Sequence, residues 1–144
     1  MEERVLSDAD LDEAKDLDQR FAEALRSNDL DAVMACFWDD PGLHVVVNGE
    51  VCRGSEAVRA VFKQMLNQHE SVTLTVEDVS YVRTGEGVIG VGTAIFDMKP
   101  PGAPGALLVE RWSDLRRKVG GRWVYVLEHA TFLPSDGEGG DTAE

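Results

Sequence analysis

The sequence predicts a single α+β domain in which an antiparallel sheet is covered on one face by three N-terminal amphipathic helices. Two observations carry that prediction. Up to about His69 the apolar residues recur every three or four positions, and beyond it they alternate, so the chain changes from a helical to a strand period. Four long segments rich in β-branched and aromatic residues then follow one another with only short breaks, which implies hairpins rather than crossovers.

Leu11, Ala14, Leu17, Phe21 and Leu25 form one stripe, and Ser7 is placed to cap it, so a first helix is expected from Asp8 to Ser27. After the polar break at 27–29, Leu30, Val33, Met34 and Phe37 give a second, short helix that Pro41 and Gly42 end. Segments 43–47 and 50–53 flank Asn48-Gly49, a pair that readily takes the positive φ angles of a type I′ hairpin turn. Ser55 is the expected cap of a third helix with the stripe Val58, Val61, Phe62, Met65 and Leu66, ending near His69. Long strands are expected at 71–83, 87–98, 105–118 and 122–133. The Pro- and Gly-rich segment 99–105 cannot extend a ladder and is a loop. From Pro134 the chain is small, acidic and Gly-rich, so 1–134 is expected to be the domain and 135–144 a disordered tail.

With 144 residues, 43% of them hydrophobic, the chain can bury one core and has no room for a second ordinary domain. Its 14 basic against 27 acidic residues give a net charge of −13, which repels nucleic acid and anionic membrane surfaces. No apolar stretch is long enough to span a bilayer, and the N-terminal segment 1–18 is charged where a secretory signal is apolar, so a cytoplasmic location is expected. Cys36 and Cys52 lack metal-ligand spacing and read as reduced thiols. The histidines show no metal-ligand pattern, so neither metal nor cofactor is expected.

Alternation sorts the last two strands into faces. Leu107, Val109, Arg111, Ser113 and Leu115 are the expected inner set, opposite Leu108, Glu110, Trp112, Asp114 and Arg116. On the last strand Glu128 argues for an outward face shared with Val124, Val126, Ala130 and Phe132, which sends Trp123, Tyr125, Leu127, His129 and Thr131 inward. A hairpin symmetric about Gly120 pairs Arg111 with His129; a one-residue bulge near the turn brings His129 to Glu110 or Trp112 instead. Leu108, Trp112, Val124, Val126, Ala130 and Phe132 would then form an apolar outer patch, which predicts a homodimer joined through the convex sheet face.

Segments 20–40, 53–62 and 107–132, with the hairpin between the first two, resemble the nuclear-transport-factor-2-like superfamily over nearly the whole chain to Pro134. Gly121, Trp123 and His129 are similar to the G-x-W-x-x-x-x-x-H ending common in SnoaL-like domains and in the association domain of calmodulin-dependent kinase. The resemblance implies a cone, a strongly curved sheet closing over the helices. Members include ketosteroid isomerase, polyketide cyclases, dehydratases, a nuclear transport adaptor and oligomerisation modules, so the cone alone assigns no activity. Against the isomerase pattern of a carboxylate base with a tyrosine and a protonated acid, the tyrosine position is held by Phe21 and the base position falls at Val45. The third position falls at Ser113 or, with a shifted gap, near Glu110. Steroid isomerisation is therefore not expected.

His129 is the candidate acid/base, with a core histidine satisfied by a neighbour as the alternative. Arg111 would hold a carboxylate or phosphate, or else pair with Glu110 or Asp39. Phe21, Glu110, Ser113 and Tyr125 complete the expected pocket, and Trp38 belongs at its rim. Two classes of function follow. One is a pocket for a small apolar or carboxylate-bearing molecule, with chemistry of the isomerase, cyclase or dehydratase kind. The other is a non-catalytic dimeric ligand-binding or association module.

Overall fold

In α1 (Asp8–Arg26) the Ser7 hydroxyl accepts the Asp10 amide at 3.0 Å while the Asp10 carboxylate accepts the Ser7 amide at 3.2 Å, a reciprocal cap that fixes the helix start. The computed structural model describes residues 6–134, so the proposed tail at 135–144 lies outside the described residues. The buried stripe of α1 keeps Ala14, Leu17, Phe21 and Leu25 of the expected set, leaves Leu11 only partly buried, and adds Ala24 and the polar Asp18, which is set between Leu17 and Phe21.

The second helix, α2 (Leu30–Met34), ends well before Pro41. Segment 36–38 leaves the helix to bond a distant strand: the Tyr125 amide donates to the Cys36 carbonyl at 2.8 Å, and the Trp38 amide donates to the Tyr125 carbonyl at 2.9 Å. β1 (His44–Val47) and β2 (Glu50–Arg53) turn at Asn48 and Gly49, whose φ angles of 52° and 86° are those of the expected turn. Ser55 is the first residue of α3 (Ser55–Gln68) and not its cap; Gly54 holds the cap position at φ 87°, and the Ser55 hydroxyl donates instead to Asp39 at 2.8 Å.

The four long strands are β3 (Ser71–Thr84), β4 (Gly87–Lys99), β5 (Ala106–Val119) and β6 (Arg122–Phe132). They form an antiparallel meander inside a six-stranded sheet of order β2-β1-β6-β5-β4-β3, in which β1 runs parallel to β6. The sheet is curved, and two register shifts accompany its bend. One lies between Glu77 and Ser80, where Asp78 takes φ 51°; the other lies between Leu115 and Arg116, where Val126 is the extra residue on β6. Phe21 anchors the core between helices and sheet, meeting Phe37, Phe62 and Tyr125 edge-on at 5.7, 5.7 and 5.8 Å.

The second register shift corrects the face assignment. Before Val126 the inward residues of β6 include Trp123 and Tyr125, as expected; beyond it Glu128 and Ala130 turn inward, and Leu127, His129 and Thr131 turn out. On β5 the expected faces are reversed, because Glu110, Trp112, Asp114 and Arg116 are all buried while Arg111 is exposed. Arg111 pairs with Thr131, and His129 pairs with Ser113. The outer patch expected from sequence therefore does not exist in that form: Trp112, Val124 and Ala130 are core residues. The apolar residues that face out near the middle of these strands include Ile89, Val91, Leu115 and Leu127.

Candidate functional site

Between α1, α3, the β1–β2 hairpin and the inner face of β4, β5 and β6 lies a cavity of about 450 Å³. Val45, Val58, Met65 and the rings of Phe21, Phe62, Phe96 and Phe132 make most of its wall, and the exposed Asn48 and Glu50 stand at the hairpin end. Two carboxyl groups enter this apolar space, those of Glu110 and Glu128. Its lining holds no Lys, Arg or His.

Glu110 is only 6% exposed, and among the described residues no hydrogen-bond partner reaches its carboxyl. Burial alone pushes it up to about 7. Glu128, partly buried, is pushed well above the usual carboxyl range by burial first and then by the charges of Glu110, Asp114 and Asp18, with Arg116 pulling the other way. Near neutral pH the pair can therefore offer a carboxyl proton to a ligand oxygen and, at Glu110, exchange one with it. A further space of about 20 Å³ shares Phe21, Phe96, Glu110 and Glu128 with the cavity and adds Asp18, Trp112, Asp114 and Tyr125.

Those last residues belong to a closed ionic network centred on Arg116, which is fully buried. Its Nε and Nη2 donate to the Asp114 carboxylate at 2.9 and 2.7 Å, Nη1 and Nη2 donate to Asp18 at 3.2 and 3.1 Å, and Nη1 also donates to the Ala14 carbonyl at 2.7 Å. The fork's donors are thus all engaged. The Tyr81 and Tyr125 hydroxyls each donate to Asp18 at 2.5 Å, and both rings, with that of Trp112, pack against the guanidinium. Burial would lower the Arg116 pKa, but its bonds to Asp114 and the nearby Asp18 charge reverse the sign, so it stays a cation; burial pushes Asp114 up to about 6 against the pull of Arg116. Gly90 makes room for this fork, since a Cβ there would stand 2.7 Å from Nη2.

The structure thus brings together Phe21, Glu110 and Tyr125 of the expected pocket residues and separates the rest. Arg111 and His129 are exposed on the outer face, which overturns their inward placement; their contact with each other is replaced by Arg111–Thr131 and Ser113–His129 pairs. Ser113 and His129 line a different hollow, an open groove of about 610 Å³ with Ile89, Leu115, Arg117 and Leu127. This groove is larger than the inner cavity, and of the buried polar residues only Asp114 is on its lining. Trp38 packs over Gly42 beside Asp39 and Arg59, outside the cavity wall. Sequence reasoning missed Asp18, Tyr81, Asp114, Arg116 and Glu128. One signal was available: Asp18 falls on the apolar stripe, four residues after Ala14 and three before Phe21.

Residues 19–126 match the model of the SnoaL-like domain. Among solved structures, a proposed aromatic ring hydroxylase from Novosphingobium aromaticivorans superimposes with a TM-score of 0.80 at 16% identity, over 91% of this chain and 94% of that one. A nuclear transport factor 2-like superfamily protein from Salmonella enterica gives 0.77 at 15% identity, over 91% and 96%. A proposed dehydratase of the same family from Streptomyces avermitilis gives 0.75 at 18%, over 89% and 99%. At these identities the likeness is one of fold. No curated protein matches the chain.

Proposed function

The chain belongs to the SnoaL-like domain family, and we propose that its cone binds a small, mainly apolar molecule which Glu110 and Glu128 orient and with which Glu110 exchanges a proton. The observation that carries this reading is the pair of carboxyls facing an otherwise apolar cavity of about 450 Å³, within the size range of small-molecule sites. Proton transfer at carbon or oxygen is the step shared by isomerase, cyclase and dehydratase chemistry, and a carboxyl that titrates near neutral pH suits it. The dehydratase and hydroxylase names proposed for two neighbours of the same fold are compatible with that use of the cone. The ligand cannot rely on His129 or Arg111, which lie on the other side of the sheet. Free Cys36 and Cys52 accord with a cytoplasmic setting. Among the described residues no helix is long and apolar enough to cross a membrane.

The uncharged fluorophore 6-propionyl-2-dimethylaminonaphthalene tests the cavity directly. It is expected to bind saturably, one per chain, and to lose binding in Met65→Trp, which fills the wall. Binding unchanged by that substitution would place the site elsewhere.

A second reading concerns assembly, and the exposed apolar residues of the outer face favour it. Ile89, Val91 and Leu127 are 37, 47 and 45% exposed, and with Leu115 they lie side by side across β4, β5 and β6. Two copies meeting about a two-fold axis would cover this strip and the groove that runs through it. Light scattering is expected to give a dimer for the wild type and a monomer for Leu127→Glu. A monomeric wild type refutes the dimer, and a dimer indifferent to the glutamate moves the interface.

A further inference from the structure

We propose that the ligand of the cone is a lipophilic monocation, an amine on an apolar or aromatic body, whose ammonium group sits between Glu110 and Glu128; this rests on the small-molecule reading above and adds the ligand's charge. The cavity presents Glu110, a residue only 6% exposed whose carboxyl lacks a hydrogen-bond partner among the described residues, in a space with no basic side chain on its wall. Such a group is normally satisfied by protein, water or ligand, and an unmade bond to it costs free energy. The nearest buried cation is not available to satisfy it, because every donor of Arg116 is already used by Asp114, Asp18 and the Ala14 carbonyl.

A neutral oxygen-bearing ligand would answer one carboxyl. An ammonium group answers both, since it carries several N–H donors and no acceptor. It can donate to an ionised Glu110 and to the carbonyl oxygen of a protonated Glu128, which leaves the site electrically neutral and each acid with a partner. Burial first, and then the charges of Glu110, Asp114 and Asp18, favour the protonated form of Glu128 over its ionised form.

The walls favour the same charge. Phe21, Phe62, Phe96 and Phe132 line the space, and the faces of aromatic rings attract cations, most strongly where water is excluded. The chain's net charge of −13 raises the concentration of cations near its surface and lowers that of anions, and Glu50 stands at the hairpin end of the cavity. A carboxylate-bearing ligand, one of the two kinds expected from sequence, would meet Glu110 and Glu128 inside, Glu50 at the hairpin end, and no counter-ion on the wall. Its expected partner, Arg111, is on the opposite face of the sheet.

Three probes of one shape separate the possibilities by calorimetry on the full chain at neutral pH: 4-phenylbutylamine, 4-phenylbutan-1-ol and 4-phenylbutanoate. The amine is expected to bind at least about tenfold more tightly than the alcohol, the worth of one charge-assisted hydrogen bond, with the carboxylate weakest. Glu110→Gln is expected to weaken amine binding far more than alcohol binding and so remove the amine's advantage; Glu128→Gln is the second variant and should reduce the same advantage. Alcohol binding as tight as the amine's, or an advantage that survives both glutamine variants, overturns the cation and leaves the cavity reading standing. Failure of all three probes while the naphthalene fluorophore still binds also overturns it. Failure of every probe overturns both.

Discussion

Arg116→Ala is expected to destabilise the protein by about 3–5 kcal/mol, the usual cost of breaking a buried ion pair from one side. Set against a typical domain stability of about 5–15 kcal/mol, that leaves a protein partly unfolded at moderate temperature. The loss is large because of what remains. Asp114 is 6% exposed and Asp18 9% exposed, so removing the guanidinium strands two acids in the core beside two tyrosine hydroxyls. Arg116→Lys should recover only part of it, since an ammonium cannot reproduce the bidentate fork that holds Asp114 through Nε and Nη2. Neutralising the whole group, with Asp18→Asn and Asp114→Asn added to Arg116→Met, should restore much of the stability because no unpaired charge is left. Urea midpoints for the set decide the matter. A single alanine variant as stable as the wild type would show that the network does not hold α1 to the sheet.

The same network explains where the sequence misleads. The helical stripes, the Asn48-Gly49 turn and the four long strands are legible because each depends on local periodicity or on a turn residue with one preferred geometry. The face of β5 is not legible in that way. Charged residues at 110, 114 and 116 count against burial one at a time, yet Asp114 and Arg116 are buried because they neutralise each other and because Asp18 arrives from a helix about a hundred residues away in sequence. The misplaced histidine has a different origin. A single extra residue at Val126 exchanges the two faces of the strand after it, and no residue in that segment has a conformation that announces a bulge. Of the residues expected in the pocket, Phe21 faces inward because it lies on a helix whose phase is secure, Tyr125 because it precedes the bulge, and Glu110 because the faces of β5 are the reverse of those expected.

Glu110→Gln is expected to stabilise the protein at about pH 8 by up to about 3 kcal/mol and to leave it nearly unchanged at about pH 4. In the unfolded chain this carboxyl loses its proton near its ordinary value of 4.5, whereas burial in the fold holds the proton up to about 7. Between those values the folded state binds the extra proton, so stability falls as pH rises, and above the folded value the whole penalty of an ionised, unpaired acid is present. Glutamine has the same shape and no such titration, so the gap between the two proteins should open across that window. Glu128 is raised in the same direction and remains in both proteins; burial, the largest cause, is common to both, while the glutamine removes the part that the Glu110 charge contributes, which widens the gap in the same sense. Urea denaturation across the pH range measures the gap; a constant difference would mean that Glu110 does not carry the titration. A destabilising acid kept in a cavity is the kind of residue that function retains and stability alone would discard. A saturating amine should therefore narrow the wild type's deficit at about pH 8 by pairing the carboxylate, through the ordinary linkage of binding to folding, and should do less for the glutamine variant.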